Sequence, residues 1–471
     1  MENQPVPASG RKLWLPIIPP MKLRLPSLLS LCLALPLGAA EYFVDSLNGS
    51  DDAPGTSEST AWRSLEKVNA ADLQPGDTVR FIRGGLWRGA LRAKSGAPGS
   101  PVTYTSYGSD KLPKPRLYGS KALNRPSDWT QAGPRLWRTV EPVSEPAEKT
   151  LADVGNLIFD GNRAAVKRWS RETLKADGDF WFEPETRRVW LVGEKNPAEV
   201  FREIEAALRR RPVVSLSRAR HVVFSDFDVR YAGAHAFAGR DASHVIIRNC
   251  DISWSGGGHQ FTRPDGVPVR FGNGVEFWEE ASDNLVEGCR IWEIYDAALT
   301  NQGLRKTQQR NITYRDNLVW NCEYSFEYWH GGGEAVVDNI VVENNVFLNA
   351  GGGWGHSQRP DPNGRHLMFY ETKAKTTNFV IRNNVFSRAT NSILRVDSRR
   401  GMERTAEDSD ASQKTGEEGV AWARQILMEN NTWFQTPGDG RALVQWQTET
   451  INDFETYRAK TGLDKNSLWQ P

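Results

Sequence analysis

The chain has 471 residues, of which 59 are Lys or Arg and 58 are Asp or Glu, so its formal net charge is +1. This length suits one large domain or two smaller ones. Because the charge is nearly balanced, the composition argues against a nucleic-acid partner or attachment to an anionic membrane surface.

Residues 21–40 read MKLRLPSLLSLCLALPLGAA. A basic start, an apolar run and a close of small residues are typical of a secretory signal peptide. We therefore interpret residues 1–40 as an upstream extension plus signal peptide, and expect a secreted or periplasmic protein that begins near Glu41. No later segment approaches the ~20 consecutive apolar residues that a membrane span needs.

Two kinds of element are predicted before residue 212. WRSLEKVNAADL, from Trp62, has the spacing of a short amphipathic helix, and GDTVRFIRGG and SPVTYTSYG alternate like strands. VGNLIFDGNRAAVKRW and DGDFWFEPETRRVWLVG then predict hairpins of an inserted β-rich subdomain. NPAEVFREIEAALRR is compatible with a helix or with a lead into a strand.

One apolar–polar–apolar pattern then occurs seven times. The copies are HVVFSDFDV, HVIIRNCDI, DNLVEGCRI, NITYRDNLV, NIVVENNVF, NFVIRNNVF and QILMENNTW. Their starts differ by 23, 39, 28, 28, 39 and 47 residues. Such a variable repeat indicates a solenoid, because each unit is too short to bury its apolar face alone.

One column of the repeat carries asparagines, for which an amide ladder and simple solvent-exposed turns are the two interpretations. Asn317, Asn345, Asn384 and Asn431 occupy equivalent positions, so stacking at the ~4.8 Å strand spacing would form an amide ladder. Cys250 and Cys289 fall in the same column. A disulfide and a pair of buried free thiols both fit this spacing.

The repeat resembles the right-handed parallel β-helix of the pectate-lyase-like superfamily. YFVD with the segment AWRSLEKVNAADLQPGDTVRFIRGGLWRG is similar to that superfamily's entry region, and GNGVEFWE and NAGGGWGHSQRPDPNGRHLMFY resemble an uncharacterised bacterial branch of secreted carbohydrate-active proteins. The resemblance implies an all-β solenoid with an N-terminal cap helix and an inserted β-rich subdomain. The expected parts are residues 41–122 (cap and first coils), 123–211 (insertion), 212–446 (main β-helix) and 447–471 (C-terminal cap).

A second set of short strands places carboxyl groups on one outer face. In GVEFWEE and SFEYWHGG, side-chain alternation turns Glu276 and Glu327 outward when their apolar neighbours face inward. The two lie two coils apart, so their backbones should be about 9–10 Å apart. Asp296 lies at the mouth of the coil between them. We expect two of these three catalytic candidates to act as a glycosidase acid/base pair; ion pairing or turn capping is the alternative.

Other polar and aromatic residues are predicted to bind substrate along this face. Outward tryptophans suit stacking on sugar rings. Arg359 suits a sugar carboxylate or sulfate, or else pairs with Asp361. His235 lies beside the AHAF strand and could border the groove. The candidates for substrate binding are His259, His330, His356, Arg359, His366, Arg395, Trp278, Trp329 and Trp354. Insertions after Trp254, Gly303 and Gly351 would wall the groove.

These features predict a monomeric, secreted enzyme that hydrolyses glycosidic bonds of an extracellular polysaccharide without a metal or other cofactor. One alternative is a polysaccharide lyase, in which His or Arg removes a proton from a uronate, with calcium as an added cofactor. Few lysines lie between residues 220 and 400, which disfavours a Lys-based lyase. The other alternative is a non-catalytic glycan-binding surface β-helix.

Overall fold

The computed structural model describes residues 38–144, 152–208, 212–331, 334–370, 374–398 and 420–471. The predicted signal peptide lies almost wholly outside the described residues. Of the helices that are described, none combines the length and apolarity needed to cross a membrane.

The chain winds into a parallel β-helix with three faces, each built from strands stacked in register. The first face contains Leu91–Arg92, Val214–Ser215, the first halves of Phe237–Arg248 and Val275–Glu287, Ala297–Gly303, Tyr324–His330, Arg365–Tyr370, Ser392–Asp397 and Ala442–Trp446. This arrangement confirms the all-β solenoid predicted from the repeat.

The second face carries the predicted repeat strands. It contains Glu41–Val44, Thr78–Ile82, Val102–Tyr107, Arg220–Ser225, the second halves of Phe237–Arg248 and Val275–Glu287, Gln308–Arg315, Val336–Glu343, Lys375–Arg382 and Leu427–Glu429. The third face contains Leu86–Arg88, Arg116–Tyr118, Asp228–Arg230, Asp251–Ser255, Arg290–Ile294, Leu318–Trp320, Val346–Ala350, Val385–Ala389, Thr432–Phe434 and Leu468–Gln470. Inward side chains from all three faces form one continuous apolar core.

The predicted asparagine ladder is present between the second and third faces. The Nδ2 atom of Asn317 donates to Oδ1 of Asn345 at 3.0 Å, Asn345 donates to Asn384 at 3.0 Å, and Asn384 donates to Asn431 at 3.1 Å. Asp464 of the C-terminal segment accepts the last bond at 3.0 Å. The left-handed turn residue is the one before each ladder Asn, at positions Asp316, Asn344, Asn383 and Asn430.

Two helices lie near the ends of the solenoid. The helix Leu65–Ala70 buries Leu65 and Val68, and its N-cap Ser64 accepts the Lys67 amide at 3.1 Å. The helix Phe454–Thr461 buries Tyr457 against the other end of the core. The strand Glu449–Ile451 pairs antiparallel with Ala442–Trp446, which gives the last coil a covered edge.

Residues 120–144 and 152–208 leave the solenoid and form two further sheets with their own apolar core. One sheet contains Ser120–Ala122, Val154–Phe159, Arg163–Ala164 and Ile204–Leu208; the other contains Trp129–Gly133, Leu136–Thr139, Val166–Arg168, Asp179–Glu183 and Arg188–Val192. The segment NPAEVFREIEAALRR divides between a short helix, Pro197–Val200, and the strand Ile204–Leu208. Cys250, Cys289 and Cys322 are buried free thiols, so Cys250 and Cys289 are not bridged.

Candidate active site

A cavity of about 400 Å³ opens on the first face. Its walls come from the insertions predicted to enclose this face. One wall is the hairpin formed by Gly258–Thr262 and Pro268–Phe271, another is the segment 359–363, and Leu304 borders a third side. Glu276, Asp296 and Glu327 all line this cavity.

Strand register explains how distant residues meet in the cavity. Glu276 pairs with Thr300, and Thr300 pairs with Glu327, so the two glutamates are two strand spacings apart in one outward column. Their neighbours Phe277 and Tyr328 point into the core. The predicted alternation and two-coil separation are therefore confirmed, with a backbone separation of about 9–10 Å.

Glu327 is a buried carboxyl group that is contacted by polar side chains. Tyr370 donates its hydroxyl to Oε1 at 2.9 Å, and the Gln302 amide donates to Oε2. Burial raises the pKa of Glu327, and the charges of Asp296 and Glu276 raise it further, to about 8. The carboxyl group is therefore protonated at neutral pH.

Among the described residues, Arg359 is the only cation that contacts Asp296. Nη1 of Arg359 is 3.1 Å from Oδ1 of Asp296. Burial raises the pKa of Asp296, while the Arg359 charge opposes that shift. Arg359 therefore stabilises a negative charge at Asp296, whereas no cation among the described residues contacts Glu327 directly.

Glu323 supports Arg359 from beneath and was missed by the sequence analysis. It is fully buried, and it accepts bonds from the Gly364 amide at 2.9 Å and from Nδ1 of His356 at 3.0 Å. Burial favours a higher pKa for Glu323, but these bonds and the Arg359 charge outweigh burial and lower it. Glu323 precedes Tyr324, which pairs with Ala297 directly after Asp296, and this neighbouring position in the next coil is the signal that could have identified it.

Glu276 has a different environment. The Asn273 amide donates to its Oε2 at 2.6 Å, and Nδ1 of His235 lies 3.4 Å from the same oxygen. That Nδ1 also accepts the backbone amide of Asn273 at 3.1 Å. The amide bond has the better hydrogen-bond distance, so we assign Nδ1 as the acceptor of the Asn273 amide. His235 lines the cavity, as predicted from its position beside AHAF.

Aromatic rings form one side of the cavity. The ring centroids of Trp278 and Trp329 are 5.9 Å apart, and those of Trp329 and Tyr370 are 6.3 Å apart with an interplanar angle of 19°. All three rings line the cavity. Such a row gives flat apolar surface next to the carboxyl groups.

The structure corrects the predictions for His330 and His366. Both side chains are fully buried, and burial lowers the pKa of His330 to about 4 and that of His366 to about 3. His366 lies in an inward column, where its ring contacts Ser325 Oγ at 2.9 Å. His330 follows Trp329 and therefore points to the opposite side of its strand. Neither side chain can reach a ligand in the cavity.

Four other predicted binding residues do not line the cavity. Trp354 begins the short helix Trp354–Ser357 and packs on Tyr295, while His356 of the same helix is held by Glu323. His259 lies on the hairpin, where its Nε2 is 3.0 Å from Thr262 Oγ1. Arg395 is paired with Asp397 further along the first face. Trp354, His356 and His259 help to hold the cavity walls in place. Arg395 lies two coils beyond Glu327.

The residues of the cavity do not fit a calcium site. The three carboxyl groups are already engaged by Asn273, Arg359 and Tyr370, and a buried guanidinium lies among them. Hard cations need several oxygen ligands that converge on one point. Among the described residues, no group of three or more His, Cys, Asp or Glu side chains has metal-binding geometry.

Comparisons with known proteins agree with this architecture. Residues 210–359 match the family model described as right handed beta helix region. The match covers the central coils of the parallel β-helix and less than half of the chain. A lacto-N-biosidase from Bifidobacterium longum subsp. longum is 35% identical over 95 residues, which make up 19% of this chain and only 6% of that protein.

Three solved structures are also similar. A GH136 lacto-N-biosidase from Eubacterium ramulus is 11% identical, with 92% of this chain and 68% of that one covered and a TM-score of 0.41. An alginate lyase from Paenibacillus sp. str. FPU-7 is 12% identical, with coverage of 87% and 96% and a TM-score of 0.43. A structure described as a glycoside hydrolase is 12% identical, with coverage of 91% and 99% and a TM-score of 0.46.

Proposed function

We propose that this protein is a carbohydrate-active enzyme that hydrolyses glycosidic bonds. The observation that carries the proposal is the environment of Glu327: a buried carboxyl group with a raised pKa shares a cavity with Asp296, whose carboxyl group is paired with Arg359. Hydrolysis of a glycosidic bond needs one carboxylic acid and one carboxylate on the two sides of that bond.

In this mechanism Glu327 is the general acid. Its proton passes to the glycosidic oxygen as the bond to the anomeric carbon breaks. Asp296 is the carboxylate partner, which acts on the anomeric carbon directly or through a water molecule. Glu276, on the same column as Glu327, adds negative charge that stabilises the oxocarbenium-like transition state.

The remaining residues orient the substrate and the acid. Trp278 and Trp329 offer faces on which a sugar ring can stack. Arg359 pairs with Asp361, as one of the two expectations had it, with its Nε 4.0 Å from that carboxylate, and it pairs more closely with Asp296. Its charge favours the ionised form of Asp296.

The test uses protein beginning at Glu41 and a panel of neutral and acidic polysaccharides and oligosaccharides, with products identified by mass. Hydrolysis adds one water to each cleaved bond, and we expect saturated products. A Glu327→Gln variant should retain binding and lose turnover. Glu343→Gln, on the second face outside the cavity, is the matched control.

Two other results would overturn the proposal. An unsaturated product that absorbs in the ultraviolet would show a lyase. Tight binding without any turnover across the panel would show a glycan-binding protein. Equal activity of the wild type and Glu327→Gln would remove Glu327 from the mechanism even if hydrolysis were observed.

A further inference from the structure

The inserted subdomain contacts the back of both cavity walls. Its main link to the segment 354–363 is Gln358, whose Nε2 donates to the carbonyl oxygen of Ala165 at 2.7 Å. Oε1 of Gln358 accepts the backbone amide of Lys167 at 3.3 Å. Both partners lie in the inserted subdomain. Gln358 immediately precedes Arg359, the residue that holds Asp296.

Arg270 joins the second wall to the same place. This buried guanidinium donates to Gly155 of the insertion at 2.9 Å, to Gly257 at the start of the hairpin at 2.6 Å and to Oε1 of Gln358 at 3.2 Å. It lies 4.6 Å from the ring centroid of Tyr295, and Arg359 lies 5.0 Å from the same centroid. Tyr295 therefore contacts both arginines.

A buried ion pair provides another anchor. Nζ of Lys167 donates to Oδ1 of Asp153 at 2.6 Å, and Oδ2 of Asp153 accepts the backbone amide of His259 at 2.7 Å. The glycines at this junction allow the close approach. A Cβ on Gly155 would lie 2.7 Å from the Gly256 oxygen, and one on Gly257 would lie 2.7 Å from the Trp354 ring.

We propose that the inserted subdomain is a brace for the active site: its contacts hold the cavity walls in position. Gln358 is a positioning residue, because its bonds to the insertion fix the position of the adjacent Arg359. Hydrogen bonds to Ala165 and Lys167 fix the backbone on which Arg359 stands, and Arg270 fixes the hairpin relative to that backbone. The geometric part is independent of the reaction; the consequence for catalysis rests on the proposed hydrolase function.

The variant Gln358→Met keeps the length of the side chain and removes both bonds to the insertion. Gln131→Met is the matched control, because the Gln131 amide donates to Gly133 within its own exposed hairpin. Amide hydrogen exchange of the full chain from Glu41 measures the brace without any substrate. We expect amide exchange at least fivefold faster than in the wild type in residues 258–271 and 354–363 of Gln358→Met. In the control variant the exchange rate of these residues should not change.

Kinetics provide the second readout. We expect Gln358→Met to lose about 10-fold to 100-fold in kcat with little change in KM, because displaced catalytic groups lose reactivity before they lose sugar contacts. Both limbs of its pH profile should move to higher pH, since weaker contact with Arg359 raises the pKa values of Asp296 and Glu327.

The outcomes are separable. Unchanged exchange in both segments overturns the brace. Faster exchange with unchanged kcat and an unchanged pH profile overturns the positioning role alone. If the wild-type protein turns over no sugar, the hydrolase proposal fails, while hydrogen exchange still decides the brace. Should Gln358→Met fail to fold, Gln358→Glu, which keeps the acceptor for Arg270 and the Lys167 amide, gives the same measurements.

Discussion

The guanidinium of Arg359 lies 3.1 Å from Asp296 and 3.9 Å from Glu323. Two carboxylates in stacked coils thus share one buried cation, and the ring of Tyr324 lies 5.6 Å from that cation. Asp296 therefore differs from Glu327, which no cation contacts within the described part of the chain and whose pKa is raised to about 8. Two acidic residues on adjacent coils are thereby suited to opposite roles.

Removing this cation should destabilise the fold. Arg359→Met leaves Asp296 and Glu323 buried without a counter-charge, and we expect the free energy of unfolding to fall by about 3–5 kcal/mol. Arg382→Met, which breaks the surface pair with Glu343, should cost less than about 1 kcal/mol. Denaturant unfolding measures both. A loss at Arg359 no larger than that at Arg382 would contradict the assigned ion-pair network.

Replacing the proposed acid should affect turnover far more than affinity. Glu327→Gln keeps the size of the side chain and cannot donate the proton, so we expect a loss of about 10²–10⁴-fold in kcat. Steady-state kinetics and calorimetric titration with a product sugar measure the two effects. A weakened affinity with unchanged kcat would instead assign Glu327 to substrate binding.

The pH dependence follows from the raised pKa of Glu327. Activity needs its protonated form, so kcat/KM should decline as pH rises through about 8. Between the ordinary glutamate pKa of 4.5 and about 8, the folded state binds more protons than the unfolded state. Stability should therefore fall as pH rises across this window. In Glu327→Gln this part of the decline should be absent, as thermal unfolding at several pH values would show.

Much of the fold could be predicted from sequence because every coil repeats the same alternation of inward and outward side chains and the coils stack in register. The two-residue period turned Glu276 and Glu327 to one face, and the fixed offset of the asparagines predicted their ladder. The same rule did not reveal that His366 sits in an inward column. The strand period also gives no information about the insertions. The contacts of Gln358, Arg270 and Asp153 that form the brace join segments about 100 to 200 residues apart, and no repeat aligns these segments.

The aromatic side of the cavity offers a test of sugar stacking. Trp278→Ala should raise KM by about 5-fold to 10-fold, because one apolar ring contact is lost. Trp292 is a matched control: it stacks on Trp320 with a centroid distance of 4.8 Å on the third face, away from the cavity. Trp292→Ala should leave KM unchanged. An equal effect of both variants would indicate a general loss of stability rather than a lost sugar contact.

The asparagine ladder should contribute strongly to stability because its amides are buried. Asn345 accepts bonds from the amide groups of Asn317 and donates to Tyr314 and Asn384. Asn345→Ala leaves several of these partners without a bond, and we expect a cost of about 2–4 kcal/mol. The exposed Asn339 donates to Asn311 and has a positive φ of 55°. Asn339→Gly preserves that backbone and should cost less than about 1 kcal/mol. Denaturant unfolding measures the free energy of unfolding of both variants. Equal losses of stability would contradict the role of the ladder, because the expected difference arises from the buried partners that Asn345→Ala leaves without a bond.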